Sequence, residues 1–181
     1  MKEDYLASSS YLGKIIGHKP SYLFHYVNLG YQIYYNSPMA TTMLQEMNFE
    51  AIRLGVIKEN ISYVEPIMRN TDFISFDISS ISNSYAPANI YASPNGFNGQ
   101  EACKISYYAG ISDKLTSFGL FEYNQDLDKD NKTAQLIAQI IWHFIDGYSK
   151  RKNELQPNVQ NCIQYNVSFD DGKNEIIFYK S

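Results

Sequence analysis

The chain has 181 residues, and its 15 Lys and Arg against 19 Asp and Glu leave a formal net charge of −4. Apolar residues make up 44%, enough to fill a core, which excludes wholesale disorder. The mildly acidic balance, with no basic block, argues against nucleic acid or an anionic membrane surface as the main partner.

The first ten residues, MKEDYLASSS, contain no apolar h-region, so no secretory signal is expected. Only Cys103 and Cys162 occur, far apart in sequence, and they read as reduced thiols of a cytoplasmic protein. Residues 6–16 suit a short helix with Ser8 to Ser10 as caps, and residues 22–29 suit a strand followed by Gly30. Ser37 as N-cap and Pro38 at the first helical position then open a helix, with Met39, Met43, Leu44 and Met47 as its apolar face. Residues 49–54 read as a strand ending at Gly55, and residues 62–68 as a short helix with Pro66 near its start.

Residues 72–78, DFISFDI, form the clearest strand. Phe73, Ile74, Phe76 and Ile78 make it near-continuously apolar, as expected of a parallel sheet covered on both faces. A long loop, residues 79–97, follows; loops of that length inside a domain usually serve a site. Asn98 to Glu101 is a capping-box start for a helix to about Ala109, ending at Gly110. Residues 115–123 read as a strand. Asp130 or Asn131 is expected to cap a long helix reaching Lys150, with Ala134, Ile137, Ile141, Phe144, Ile145 and Tyr148 as its core stripe. That helix holds the longest apolar stretch, residues 136–145, which Gln139 and His143 interrupt and which is too short to span a bilayer. Lys150, Arg151 and Lys152 suit its C-terminal dipole. Alternating residues on either side of Asp170-Asp171-Gly172-Lys173 predict a C-terminal β-hairpin.

Strands separated by helices predict βαβ crossovers and a mostly parallel sheet, whose ligands bind beyond the C-terminal strand ends. Asp77 and Glu122 fall at two such ends. Asp77 reads either as a hard-oxygen ligand for Mn²⁺ or Mg²⁺ or as a loop cap accepting backbone N–H groups. Glu122 reads either as the receptor of a cationic substrate group or as a solvated rim charge. His18, His25 and His143 form no His-x-x-x-His, and no Cys-x-x-Cys occurs, so a zinc site is not expected. No Gly-x-Ser-x-Gly, P-loop or Gly-x-Gly-x-x-Gly is present. His143 and Trp142 read as ordinary residues of a helix face.

Several motifs in order resemble the ureohydrolase superfamily of arginases, agmatinases and formimidoylglutamases. Ser75, Phe76, Asp77, Ala86, Pro87, Pro94, Gly96, Glu101 and Ala102 fall in register with the family's Ser-Phe-Asp-x-Asp-x-x-Asp-Pro strand and the loop after it. Phe121-Glu122-Tyr123-Asn124 resembles its Val-Glu-x-Asn-Pro strand end, and Asp128 with Thr133-Ala134 its Asp…Thr-Ala helix start. Leu29-Gly30-Tyr31-Gln32 is similar to its strand ending in Gly-x-Arg. The wording of SPNGF, YAGISDK and WHFIDGY looks most like an arginase-like or formimidoylglutamase-like branch. The resemblance covers about residues 25–150 and implies a single partial domain over residues 1–181, with residues 158–181 as the hairpin. The implied fold is a three-layer αβα class with a mostly parallel sheet, arginase-like but partial.

The family's two-manganese centre activates a hydroxide that attacks a guanidinium or formimidoyl carbon. The resemblance thus implies Mn²⁺, with Asp77 and Ser79 at the metal positions, Glu122 orienting a small amidine or guanidino substrate, and no nucleic-acid or membrane partner. Ser79 stands where the family has a second Asp, and Ser82-Asn83 replace its Asp-Pro. The family's Asp-x-His-x-Asp motif and a further upstream His ligand have no counterpart in the chain. The expectation is the C-terminal half of an amidine hydrolase, inactive by itself, or a non-catalytic homologue serving as a binding or scaffold module. In the family the strand bearing Asp-x-His-x-Asp lies inside the sheet. Without it, self-association or an N-terminal partner half is expected.

Overall fold

The computed structural model describes residues 11–20, 23–36, 38–152, 162–169 and 174–180. They fall into two compact units, Met1–Asn60 and Ile61–Ser181.

In the first unit, helix α1 spans Tyr11–Gly17, strand β1 Val27–Tyr31, helix α2 Pro38–Glu46, strand β2 Glu50–Arg53 and helix α3 Leu54–Glu59. β1 and β2 pair in parallel, from Val27 opposite Glu50 to Tyr31 opposite Arg53, with a register shift between Leu29 and Tyr31. The expected first helix and first strand are thus present but shorter. Residues 6–10, Tyr22 and the Ser37 cap lie outside the described residues. Gly55 does not end the second strand's segment: it lies inside α3, because Leu54 and Ile57 are buried on one helical turn. The methionine face expected of α2 is largely open, with Met39 82% and Met43 50% exposed.

In the second unit, helix α4 spans Val64–Arg69, strand β3 Phe73–Asp77, helix α5 Gly99–Ile111, strand β4 Ser117–Phe121 and helix α6 Lys132–Tyr148. β3 and β4 pair in parallel and in unbroken register, Phe73 opposite Ser117 through Asp77 opposite Phe121. Ile74 and Phe76 are buried, whereas Phe73 is 56% exposed. The strand therefore alternates, contrary to the expectation of cover on both faces. Phe118, opposite Ile74, stacks on Phe144 of α6 at 4.7 Å between ring centroids, so α6 covers the face that Ile74 and Phe76 share. Burial of each such large apolar side chain contributes roughly 1.5–3 kcal/mol.

α5 begins with the full capping box expected of Asn98 and Glu101. It runs one residue beyond Gly110, to Ile111, and packs along α6. A β-carbon at Gly110 would collide with the Phe144 carbonyl, and one at Gly147 with the Tyr107 carbonyl; the two glycines let the helix backbones touch. This contact turns Leu136 and Ile140 of α6 inward with Thr133 and Gly147. Ile141, Ile145 and Tyr148, expected in the core stripe, are exposed, as is Trp142. α6 ends at Tyr148, before the expected Lys150. Arg151 then donates to the carbonyls of Gly110 and Leu115, satisfying an orphan acceptor at the end of α5.

The predicted hairpin is present as strands β5, Ile163–Phe169, and β6, Asn174–Lys180, antiparallel and paired along their whole length. Its turn, residues 170–173, lies outside the described residues. No helix is long and apolar enough to cross a membrane among the described residues.

Candidate functional site at the ends of β3 and β4

The parallel register sets Asp77 opposite Phe121, the residue just before Glu122. Both carboxylates therefore leave the sheet at the C-terminal ends of neighbouring strands, which lie about 4.8 Å apart in such a ladder. This is the position at which open α/β sheets bind ligands.

Asp77 is half-buried and caps the short 3-10 turn Ile78–Ser80. Its Oδ1 accepts the Ser79 N–H at 2.8 Å, and the Ser80 hydroxyl donates to its carbonyl at 2.6 Å. Of the two roles open to Asp77 in the sequence, the cap is thus occupied by one carboxylate oxygen. Ser79 presents a neutral hydroxyl from the turn that Asp77 caps.

The segment after this turn is not structureless. Ile81 bridges Phe97 and Ser82 bridges Ser93, both in the parallel sense. Ser82 N–H donates to Phe97 carbonyl, and Phe97 N–H to Ser80 carbonyl, each at 2.9 Å. The segment's own Ile81, Ala86, Ala88 and Phe97 are buried. Gly96 lies so close to the Ile81–Ser82 backbone that any β-carbon there would collide, which explains why a glycine follows Pro94-Asn95.

Glu122 has φ 67°, in the left-handed region. Among the described residues the other two non-glycine residues with positive φ are asparagines, Asn48 and Asn131, which tolerate it. A glutamate does not, and the strain is of order 1–3 kcal/mol. Glu122 is half-buried, and its side chain makes no hydrogen bond or ion pair among the described residues. The residues after it are held firmly. Asn124 N–H donates to the Ala88 carbonyl at 2.9 Å, and Ala88 N–H to the Thr133 hydroxyl at 3.0 Å. The long loop, the end of β4 and the start of α6 are thereby tied into one floor.

Asp128 anchors that floor and caps α6, in place of the cap expected at Asp130 or Asn131. Asn131 occupies the N-cap position but makes no side-chain cap bond. Asp128 Oδ1 instead accepts from Thr133 N–H at 3.2 Å and Oδ2 from Ala134 N–H at 2.8 Å. The Tyr123 hydroxyl donates to Oδ2 at 3.2 Å. Burial alone would raise the Asp128 pKa. The N–H groups of Ala134 and Thr133, the Tyr123 hydroxyl and the Lys132 N–H outweigh it and hold the carboxyl below its ordinary value. Burial and the Asp128 carboxylate push the Tyr123 hydroxyl up. The signal was in the sequence as the spacing of Asp128 from Thr133-Ala134, but a cap four residues outside its helix is not the usual pattern.

The described residues do not themselves fit a two-metal centre. One carboxylate with an oxygen already engaged and one neutral hydroxyl are a poor donor set for a hard dication. No group of three or more His, Cys, Asp or Glu able to hold a metal occurs among the described residues. His143 sits on α6 with its ring edge-on to Trp142, and both Cys103 and Cys162 are free; burial pushes the Cys103 thiol up.

A model of the arginase family matches residues 7–146. The formimidoylglutamase of Staphylococcus haemolyticus (strain JCSC1435) is 33% identical over 84 residues, 45% of this chain and 27% of that protein. Among solved structures, Trypanosoma cruzi formiminoglutamase, oxidized and with Mn²⁺ at pH 8.5, superposes with a TM-score of 0.66 at 18% identity, over 70% of this chain and 45% of that one. Formimidoylglutamase from Bacillus subtilis subsp. subtilis str. 168 gives 0.62 at 22% identity, over 69% and 42%. This chain thus spans less than half the length of each of these relatives. Their shared fold is the αβα class with parallel strands, and this chain also carries the antiparallel β5–β6 hairpin. With the family match covering most of its length, the chain belongs to the arginase family.

Proposed function

We propose that the chain acts as the C-terminal part of a ureohydrolase-like, metal-dependent hydrolase of linear amidines, cutting a guanidino or formimidoyl C–N bond, and that it has no turnover alone. The observation that carries this reading is the pair of carboxylates at adjacent parallel strand ends, with Glu122 held in strained backbone and free of protein partners among the described residues. Strain of that kind persists where surrounding structure over-determines it, commonly at sites. In this reading Glu122 receives the cationic end of the substrate, since a carboxylate accepts two parallel N–H bonds from an amidinium. Asp77 sits at the metal edge with Ser79 as a weak neighbour, and the remaining Mn²⁺ ligands come from outside this chain, in the cytoplasm. The formimidoylglutamase relatives favour a formimidoyl substrate.

The replacement of a carboxylate by Ser79 favours a second reading, a non-catalytic homologue that binds or scaffolds. Titration of the purified chain with arginine, agmatine and formimidoylglutamate, followed by calorimetry and by assay of amidine hydrolysis with Mn²⁺ present, separates the first reading from a scaffold that has no amidine site. We expect no turnover, measurable binding of one amidine, and a loss of about 10- to 150-fold in affinity for Glu122→Gln, from a charge-assisted bond worth roughly 1.5–3 kcal/mol. Turnover that vanishes in Asp77→Asn would refute inactivity of the chain alone. Unchanged affinity in Glu122→Gln would remove Glu122 from the site, and no binding at all would favour the scaffold.

A further inference from the structure

One face of the β5–β6 hairpin is apolar along most of its length. Cross-strand partners Tyr165 with Phe178 and Val167 with Ile176, joined by Ile163 and Phe169, put six apolar side chains on one face. All six are 43–60% exposed. The opposite face is mixed: Gln164, Asn166 and Ser168 on β5 stand opposite Tyr179, Ile177 and Glu175 on β6. A lone two-stranded hairpin is marginal in water, and three or more strands with an apolar face are needed for independent stability. Among the described residues this hairpin pairs with no third strand.

The two outer edges differ. β6 carries Glu175 and Lys180, the kind of charges that keep an edge from pairing. β5, IQYNVSF, carries none. Its polarity also reads the same in both directions. Setting β5 antiparallel to a second β5 about a two-fold axis through Asn166 puts Ile163 opposite Phe169, Gln164 opposite Ser168, Tyr165 opposite Val167 and Asn166 opposite itself. Each pair joins apolar with apolar or polar with polar, and the two apolar faces fall on the same side. The same operation on β6 sets the Glu175 carboxylate against the Tyr179 ring, a mismatch that β5 does not have.

We infer that β5 is a homodimerisation edge, and that its partner is the β5 strand of a second copy of this chain. Two hairpins then form one four-stranded antiparallel sheet with a continuous apolar face. The interface is isologous, so it closes at two copies instead of propagating. The inference is independent of the amidine-binding reading, because no residue of β5 belongs to the site at the ends of β3 and β4.

Sedimentation of the full chain across the micromolar range tests it. We expect a monomer–dimer equilibrium in the parent chain. Asn166→Lys sets two like charges opposite each other at the axis and should raise the dimer dissociation constant about tenfold or more. Ile177→Lys, at the position that faces Asn166 from β6, should leave it within about twofold by the same pairing rule. In a Cys162→Ser background, Asn166→Cys should oxidise to a disulfide-linked dimer and Ile177→Cys should not; this readout stands even where the lysine variant folds poorly. A parent chain that stays monomeric, equal effects of the two lysines, or equal cross-linking by the two cysteines would each overturn the inference.

Discussion

Asp128 holds the first turn of α6 from outside the helix, and four groups converge on its carboxylate. Because its folded pKa lies below its ordinary value, its contribution to stability is whole above the unfolded value of 3.8 and fades as the pH falls through the lower folded value. Asp128→Asn should therefore lower the melting temperature at neutral pH and flatten the acid limb of the stability curve below about pH 4. Asp130→Asn, at the cap the sequence pattern favours, should change neither. Equal melting temperatures for Asp128→Asn and the parent at pH 7 would show that the carboxylate does not anchor α6. The strand-end positions of Asp77 and Glu122 were legible because strand pattern and flanking turn signals are local. The left-handed backbone of Glu122 and the reach of Asp128 were not, since both depend on Ala88 and Thr133, distant in sequence, closing the same floor.

At the scale of elements, α5 was legible almost to the residue because its capping box is a local device. α6 was legible as a helix but not in its orientation. Leu136, Ile137, Ile140, Ile141, Trp142, Phe144 and Ile145 spread over about 240° of its circumference at roughly 100° per residue, so periodicity does not choose one narrow face. The choice is made by backbone contact between Gly110 and Gly147, which no apolar count contains. Gly147→Ala should force the two helices apart and cost about 1–3 kcal/mol, a fall of roughly 2–12 °C in melting temperature at this chain length. Gly55→Ala is the contrast. Nothing lies within 4 Å of a β-carbon at Gly55, and the residue is helical. That change should stabilise by about 0.4–1 kcal/mol through loss of unfolded-state entropy. Calorimetric melting of both variants checks the pair, and a neutral Gly147→Ala would mean that the helices do not rely on this close contact.

At the scale of the whole molecule, family membership and metal chemistry come apart. The arginase-family match runs over residues 7–146, yet the described residues gather one carboxylate and one hydroxyl where a dication would need several hard donors. Linkage turns this into a number. With a dissociation constant of about 1 mM, 1 mM Mn²⁺ stabilises the chain by RT ln 2, about 0.4 kcal/mol, a rise of about 1–2 °C in melting temperature. A complete site with a dissociation constant of about 1 µM would stabilise by about 4.1 kcal/mol and raise it by roughly 8–16 °C. The isolated chain should therefore melt almost unchanged in 1 mM Mn²⁺, with or without chelator. A rise in the upper range, lost in Asp77→Asn, would mean that donors within this chain come together on the metal. The hydroxyl of Ser79 would then be a working ligand, and the case for outside ligands would fall with it.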